Sequence, residues 1–229
     1  MIKAAIFDLD HTLFDRYGTI KKIIDTVDYS ELPFKESLTR SEIFNAIKQA
    51  EKLYIYDSFD LVVNYFYENG MLKDGTDIDN FYNTYIKPQY MKTAVNFPFT
   101  LPMLKELKKM GIRAGIITNG YAEIQLKKIE LLGFGNQFEH ILVGSNFGGG
   151  KPKPDIFNKM AELMNLEPRE MLYIGDHPQN DVWGSYNAGY VPVWFRTIGN
   201  WTLADFEKPS LQVDTVAEIP DLIKRLNTI

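Results

Sequence analysis

The sequence predicts an α/β protein, with an open, doubly wound parallel sheet and a separate helical insertion. After Pro98, short apolar segments alternate with segments whose apolar residues recur at helical spacing. This alternation is typical of strands that pair in parallel, with helices on both faces of the sheet. From about residue 17 to residue 93, helical spacing dominates and strand-like alternation is scarce. A chain of 229 residues is long enough for such a core with a smaller inserted domain.

The first predicted element is a buried strand at residues 4–9, because this short run is apolar up to its acidic end. Further strands are predicted at residues 112–117, 140–143, 171–174 and 191–195. Helices are predicted between and after them at residues 101–110, 121–132, 155–164, 178–188 and 219–226. In the insertion, helices are predicted at residues 41–53, 59–69 and 78–86, and Pro88 and Pro98 mark its exit.

The insertion is also rich in aromatic residues. We expect most of them to fill its own core, and stacking on a nucleobase is the alternative. They are Tyr54, Tyr56, Phe59, Tyr65, Phe66, Tyr67, Phe81, Tyr82, Tyr85 and Tyr90.

Composition favours small-molecule chemistry. The net charge is −5 and no run of five basic residues occurs, so a nucleic-acid backbone would find little general attraction. The absence of cysteine excludes thiolate catalysis, cysteine zinc sites and disulfides. No stretch approaches the ~20 apolar residues that a membrane-spanning helix needs. The apolar run among the first eight residues is too short for a secretory signal. We therefore expect a cytoplasmic protein without nucleic-acid or membrane partners.

Polar residues follow three of the predicted strands at the point where each strand ends. Asp8 and Asp10 follow the first strand, Thr118-Asn119-Gly120 follows the second, and Gly175-Asp176 follows a later one. Ligands of such sheets bind outside the carboxyl ends of the strands. Residues some 170 positions apart in the sequence are therefore expected to meet in one crevice.

Asp8 and Asp10 form a candidate pair of catalytic carboxylates. Asp8 would attack phosphorus as a nucleophile and split one difficult displacement into two easier ones. Asp10 would protonate the leaving alkoxide and then deprotonate the water that hydrolyses the acyl phosphate. Thr12 would hold Asp10 in place or cap a helix. The alternative for the pair is solvated acids at the end of a strand.

Such chemistry requires positive charge, because an anionic nucleophile repels a phosphate dianion. Magnesium suits carboxylate and water ligands. Asp8 and the main-chain carbonyl of Asp10 can supply two ligands, Asp176 a third, and Asp181 a further one through water. The alternative for Asp176 and Asp181 is a turn followed by a helix N-cap.

Two further segments are candidates for binding a phosphate group. Thr118, Asn119 and Gly120 lie at a strand-to-helix turn, where a hydroxyl and backbone N–H groups can grip phosphate oxygens. Lys151 follows the three glycines at 148–150 and precedes a proline, so a close-approaching loop would deliver a fixed cation to Asp8. The alternatives are an ordinary helix start and a solvated loop lysine.

These segments, taken in chain order, resemble the motifs of the haloacid-dehalogenase-like hydrolase superfamily. They are Asp8-Leu9-Asp10-His11-Thr12, Thr118-Asn119-Gly120, Lys151-Pro152-Lys153-Pro154 and the stretch from Gly175-Asp176 to Asp181. The resemblance spans almost the whole chain and implies a Rossmann-like catalytic core at residues 1–16 and 94–229. It also implies a mobile helical cap at residues 17–93, and the same roles for Asp8, Asp10, Thr118, Lys151 and Asp176.

The resemblance further implies a magnesium-dependent phosphatase that acts through an aspartyl phosphate. Its substrate would be a small phosphorylated metabolite, either a nucleoside monophosphate or a sugar or organic acid phosphate. The segments at residues 116–125 and 175–189 look most like the branch that contains pyrimidine 5′-nucleotidases and phosphoglycolate phosphatases. His11 stands where family phosphatases often have glycine. We expect it to face solvent, and contact with the leaving group is the alternative.

Two other functions stay open. A phosphomutase resembling β-phosphoglucomutase would share the same core residues, and a catalytically silent binding protein would share the fold. Loss of Asp8, Asp10 or Lys151 would mark the silent protein, and all three are present. Asp10 argues against a dehalogenase, because a halide leaving group needs no proton. The sequence does not predict an oligomeric state.

Overall fold

A computed structural model describes residues 1–54, 59–197 and 201–228. The chain divides into two compact units. One consists of Met1–Asp15 and Asn96–Ile229, and the other of Arg16–Val95. The first unit contains the sheet and the second is helical.

The sheet has six strands in the order β3-β2-β1-β4-β5-β6, and all of its pairings are parallel. The strands are β1 Ala4–Phe7, β2 Arg113–Thr118, β3 His140–Val143, β4 Met171–Gly175, β5 Val191–Phe195 and β6 Gln212–Val213. This architecture confirms the predicted α/β fold class. The short edge strand β6 was not predicted, because two residues are too few to show a periodicity.

Strand β1 lies in the middle of the sheet and is apolar along its whole length because it is buried on both faces. Phe7 is in register with Ile116 of β2 and with Ile174 of β4. The Asp8 N–H donates to the Ile174 carbonyl at 2.9 Å. The residues that follow β1, β2 and β4 therefore leave the sheet at the same edge.

The helices of this unit lie close to their predicted positions. They are α5 Thr100–Lys109, α6 Ala122–Leu131, α7 Pro154–Met164, α8 Gly184–Asn187 and α9 Ile219–Thr228. Helix α7 buries Ile156, Phe157 and Met160 in the core beside the sheet, as its helical spacing predicts. The predicted helix at 178–188 differs, because a π-helical turn, Pro178–Trp183, precedes α8.

The helical unit contains α1 Arg16–Thr26, α2 Arg40–Tyr54, α3 Phe59–Glu68, a π-helical turn Tyr82–Ile86 and α4 Lys87–Tyr90. Helix α1 was not predicted. The helix predicted at 78–86 begins later and continues through Pro88, which the first turn of α4 tolerates.

Aromatic side chains form much of the core of the helical unit. Phe66 and Phe81 are buried, and the ring of Phe66 meets that of Phe34 edge-on at a centroid distance of 5.2 Å. Tyr67 is exposed, whereas Tyr56 lies outside the described residues. Among the described residues, no helix has both the length and the apolar character to cross a membrane.

Candidate active site

A buried cluster of charged side chains lies at the carboxyl edge of the sheet. Carboxylate oxygens of Asp8, Asp176 and Asp181 all lie within 4.8 Å of one another. The ammonium of Lys151 contacts Asp8 Oδ1 and Asp181 Oδ1, each at 2.6 Å. The structure thus brings together four residues that the sequence predicted from three distant segments.

The loop before α7 delivers Lys151, and Asn119 holds that loop. The Asn119 side-chain amide donates to the Lys151 carbonyl at 2.9 Å, and its oxygen accepts from the Lys151 N–H at 2.9 Å. Gly150 allows this approach, since a Cβ there would lie 2.2 Å from Asn119 Oδ1. Because its amide nitrogen and its amide oxygen both bind the main chain of Lys151, Asn119 positions the residue that carries the cation.

Asp181 is fixed from several sides. Its Oδ2 accepts from the His177 N–H at 2.9 Å, and its Oδ1 accepts from the Tyr173 hydroxyl at 3.3 Å. The end of β4 makes room for it, because a Cβ on Gly175 would lie 2.4 Å from the Asp181 carboxyl carbon. Sequence reasoning missed Tyr173, whose position inside an apolar strand gave no functional signal.

With its three carboxyl groups ionised, the cluster would carry more negative charge than Lys151 neutralises, and their pKa values respond to this. Burial raises the pKa of Asp8 to about 7; Lys151 opposes this shift and Asp181 adds to it. Burial also raises the pKa of Asp176 well above its ordinary value, and Asp181 and Asp8 strengthen the effect. Burial alone would lower the pKa of Lys151, but Asp181 and Asp8 outweigh it and raise that pKa.

These observations fit a divalent cation. Three buried carboxylates, when ionised, carry more negative charge than one ammonium neutralises, and oxygen ligands of this kind suit hard cations. The buried cluster is consistent with metal binding. The side chain of Asp10 lies outside the three-carboxylate cluster, so only its main-chain carbonyl is a candidate ligand.

The carboxylate of Asp10 instead binds two residues of helix α6. Lys128 Nζ contacts Asp10 Oδ1 at 2.6 Å, and Gln125 Nε2 donates to Asp10 Oδ2 at 2.7 Å. Gln125 Nε2 also donates to Thr118 Oγ1 at 2.6 Å. Sequence reasoning missed Gln125 and Lys128. The available signal was their position on the buried face of α6, beside Ile124 and Ile129.

The remaining predicted residues near the site differ in detail from expectation. The Thr12 hydroxyl donates to Asp8 Oδ2 at 3.5 Å, whereas the sequence predicted that Thr12 holds Asp10 or caps a helix. His11 was expected to face solvent, and this is wrong because it is buried. Its φ of 60° lies in the left-handed region, which explains why glycine suits this position. Gly120 also has a positive φ, at the turn between β2 and α6.

Comparison with known proteins identifies the family. The sequence model of the haloacid dehalogenase-like hydrolases matches residues 5–194. Glyceraldehyde 3-phosphate phosphatase from Methanopyrus kandleri is 27% identical, with 99% of each chain covered. The enzyme of that name from Pyrococcus abyssi is 30% identical, with 86% of this chain and 82% of the relative covered.

A solved structure agrees on the fold. The HAD hydrolase YfnB from Bacillus subtilis, whose crystal form bound to magnesium reveals interdomain movement, has a TM-score of 0.73. It is 19% identical, with 97% of this chain and 98% of that chain covered. The predicted enzyme class, a phosphatase, is confirmed by the curated relatives over most of the chain. The chain belongs to the haloacid dehalogenase-like hydrolase family.

Proposed function

We propose that this phosphatase hydrolyses phosphate monoesters through a covalent phospho-enzyme on Asp8. The observation that carries the proposal is the 2.6 Å contact between Asp8 Oδ1 and Lys151 Nζ inside a buried carboxylate cluster. A cation fixed beside the nucleophile offsets the repulsion between a carboxylate and a phosphate dianion. Asp181 holds that cation in place from its other side.

The reaction has two steps. First, an oxygen of Asp8 attacks phosphorus, the bond from phosphorus to the ester oxygen breaks, and Asp10 protonates that oxygen so that an alcohol leaves. Second, water attacks phosphorus, Asp10 accepts the proton of the water, and the bond between Asp8 and phosphorus breaks. Inorganic phosphate leaves, and both aspartates return to their starting states.

Residues after β2 would hold the transferring phosphate. The Thr118 hydroxyl accepts a hydrogen bond from Gln125 at 2.6 Å and donates to the Asn119 carbonyl at 3.2 Å, and a bound phosphate oxygen would take the place of that carbonyl as its acceptor. Backbone N–H groups of Asn119 and Gly120, in the turn between β2 and α6, suit further phosphate oxygens. Lys151 supplies the positive charge opposite them.

The proposed cofactor is Mg²⁺, held by Asp8, Asp176 and the main-chain carbonyl of Asp10, with Asp181 binding directly or through water. When bound, Mg²⁺ supplies positive charge that stabilises the transferring phosphate. Asp181 keeps its contacts to Lys151 and His177 and so links the metal ligands to the catalytic cation.

The proposed substrate is a small phosphorylated metabolite, and a short sugar or aldehyde phosphate is the first choice. The names of the curated relatives, glyceraldehyde 3-phosphate phosphatases, favour it over a nucleoside monophosphate.

The test is a panel of phosphate esters assayed for phosphate release with Mg²⁺. It includes glyceraldehyde 3-phosphate, phosphoglycolate, nucleoside monophosphates and p-nitrophenyl phosphate. We expect Asp8→Asn to lower kcat about a thousandfold or more. Asp221→Asn, on an exposed face of α9, is the matched control and should keep full turnover. Normal turnover by Asp8→Asn would refute the mechanism.

Two related questions have separate tests. A phosphomutase would move phosphate between positions of a sugar phosphate and release little of it, so product analysis by phosphorus NMR separates mutase from hydrolase.

We also propose that Arg16–Val95 is a cap that selects the leaving group, because it is a compact unit with its own core. A chimera carrying this segment from a relative with another substrate should acquire the relative's preference. If the preference stays with the remaining chain, the cap assignment is wrong.

A further inference from the structure

Helix α6 turns two polar side chains towards Asp10 on a face that is otherwise apolar. Gln125 and Lys128 are each 3% exposed, beside the buried Ile124 and Ile129. They are three positions apart, so they lie next to each other on the helix surface. Together they bind both oxygens of the Asp10 carboxylate, at 2.7 Å and 2.6 Å.

The orientation of the Gln125 amide follows from its partners. The Asp10 carboxyl accepts from Gln125 through one oxygen and from Lys128 through the other, so the NH₂ group of Gln125 faces Asp10. The same nitrogen donates to Thr118 Oγ1 at 2.6 Å, and each of its two hydrogens thus has an acceptor. Gln125 therefore joins the proposed acid/base to the proposed phosphate ligand.

A nearly buried ammonium is costly unless it is paired. The ion pair of Lys128 with Asp10 offsets this desolvation free energy. The ring of Phe14, whose centroid lies 4.6 Å from Lys128 Nζ, contributes as well. Replacing a buried ion pair by apolar side chains is often neutral or stabilising. The Asp10 side chain is 29% exposed, so this pair is only partly buried, and the Lys128 contact fixes one oxygen of the Asp10 carboxyl.

We propose that Gln125 and Lys128 are positioning residues that orient the Asp10 carboxyl for proton transfer to the leaving group. Neither is assigned a contact with the reacting atoms; Lys128 acts through Asp10, and Gln125 acts through Asp10 and Thr118. The inference rests on the proposed role of Asp10 as the acid. If it is correct, losing either residue lowers kcat most for substrates whose leaving group depends most on protonation by Asp10.

The test compares phenyl phosphate with p-nitrophenyl phosphate at saturating Mg²⁺. Phenolate is the stronger base, so its departure depends more on Asp10 than that of p-nitrophenolate. Lys128→Met and Gln125→Leu should lower kcat for phenyl phosphate about 10-fold to 100-fold more than for p-nitrophenyl phosphate. Lys128→Arg keeps a cationic donor and should retain more phenyl phosphate turnover than Lys128→Met. Lys127→Met, at a partly exposed neighbouring position whose ammonium contacts Glu130, is the matched control and should leave both rates unchanged.

Asp10→Asn separates failure of this inference from failure of the proposed function. If Asp10→Asn penalises phenyl phosphate selectively but Lys128→Met and Gln125→Leu slow both esters equally, the positioning role is wrong and the mechanism stands. If Asp10→Asn itself slows both esters equally, the acid role of Asp10 fails. Thermal unfolding checks that each variant is folded. If Lys128→Met does not fold, the comparison of kcat for the two esters is made with Gln125→Leu and with the isosteric Gln125→Glu. The latter variant places a second carboxylate against Asp10 in place of the amide donor.

Discussion

Lys151 contacts both Asp8 and Asp181, each at 2.6 Å, and its side chain is buried. Lys151→Met would leave Asp8 and Asp181 as buried carboxylates without their cation. Breaking such a pair costs about 3–5 kcal/mol, and losing a charge at the transferring phosphate costs about 10²-fold to 10³-fold in kcat.

We therefore expect Lys151→Met to lose both stability and activity. Urea unfolding and phosphate release measure the two losses. Lys153→Met is the control, because Lys153 is exposed and its ammonium contacts a loop carbonyl. Unchanged kcat in Lys151→Met would contradict the role of Lys151.

A second prediction at the residue scale concerns pH. The pKa of Asp8 is raised by burial from 3.8 to about 7. Asp8 is protonated in both states below pH 3.8, and as pH rises towards 7 the unfolded state loses its proton first. The stability that the protonated Asp8 contributes is thus present at low pH and lost as pH rises through 7.

We expect the melting temperature of Asp8→Asn, measured in a chelator, to rise relative to wild type between pH 4 and pH 7. Asp221→Asn, an exposed aspartate, should show no such trend. A difference between Asp8→Asn and wild type that is independent of pH would show that Asp8 is ionised throughout.

At the scale of elements, the glycine loop before α7 offers a test of how Lys151 is delivered. Gly148 and Gly150 both have left-handed φ angles, 61° and 68°. A Cβ on Gly148 meets nothing within 4 Å, whereas one on Gly150 would lie 2.2 Å from Asn119 Oδ1. Alanine at either position adds backbone strain of about 1–3 kcal/mol, but only at 150 does the added Cβ collide with Asn119 Oδ1 and, at 2.7 Å, with the Cα of Gly144.

Gly150→Ala should therefore reduce kcat well beyond Gly148→Ala, with both variants losing some stability. Kinetics on p-nitrophenyl phosphate and thermal unfolding check this. Equal kcat values for the two variants would mean that Asn119 does not position Lys151.

The elements themselves show where periodicity is informative. Strands β1 to β5 are short apolar runs in a buried parallel sheet, and their patterns were sufficient to predict them. Helix α1 was missed although Ile20, Ile23 and Ile24 are spaced for one buried face. The π-helical turn at Pro178–Trp183 was read as an ordinary helix, since local spacing does not distinguish the two.

At the scale of the whole molecule, binding of a metal should link stability to pH. A divalent cation binds ionised carboxylates, so it must compete with protons at Asp8 and Asp176, whose pKa values are both raised. A ligand that binds the folded state raises stability according to its concentration and affinity.

We expect Mg²⁺ to raise the melting temperature more at pH 8 than at pH 5, and Asp176→Asn to lose most of this effect. Lys127→Met serves as the control and should respond as wild type does. An equal response to Mg²⁺ in Asp176→Asn would place the metal elsewhere.

The sequence alone determined the fold class, the order of most elements and the identities of the charged residues in the cluster. It could do so because the spacing of apolar residues indicates which side chains are buried, and because parallel strands bring their carboxyl ends to one edge of the sheet. Asp8, Lys151 and Asp176 were predictable from their positions after strands or in a glycine-rich loop.

Only the tertiary structure decided which side chains touch. The pairing of Asp10 with Lys128 and Gln125 joins residues more than 110 positions apart, and the use of Asn119 to hold Lys151 spans 32 positions. Such contacts depend on rotamers and on space left by residues such as Gly150 and Gly175. Periodicity reports which face of an element is buried, but it carries no information about the partner that a polar side chain finds there.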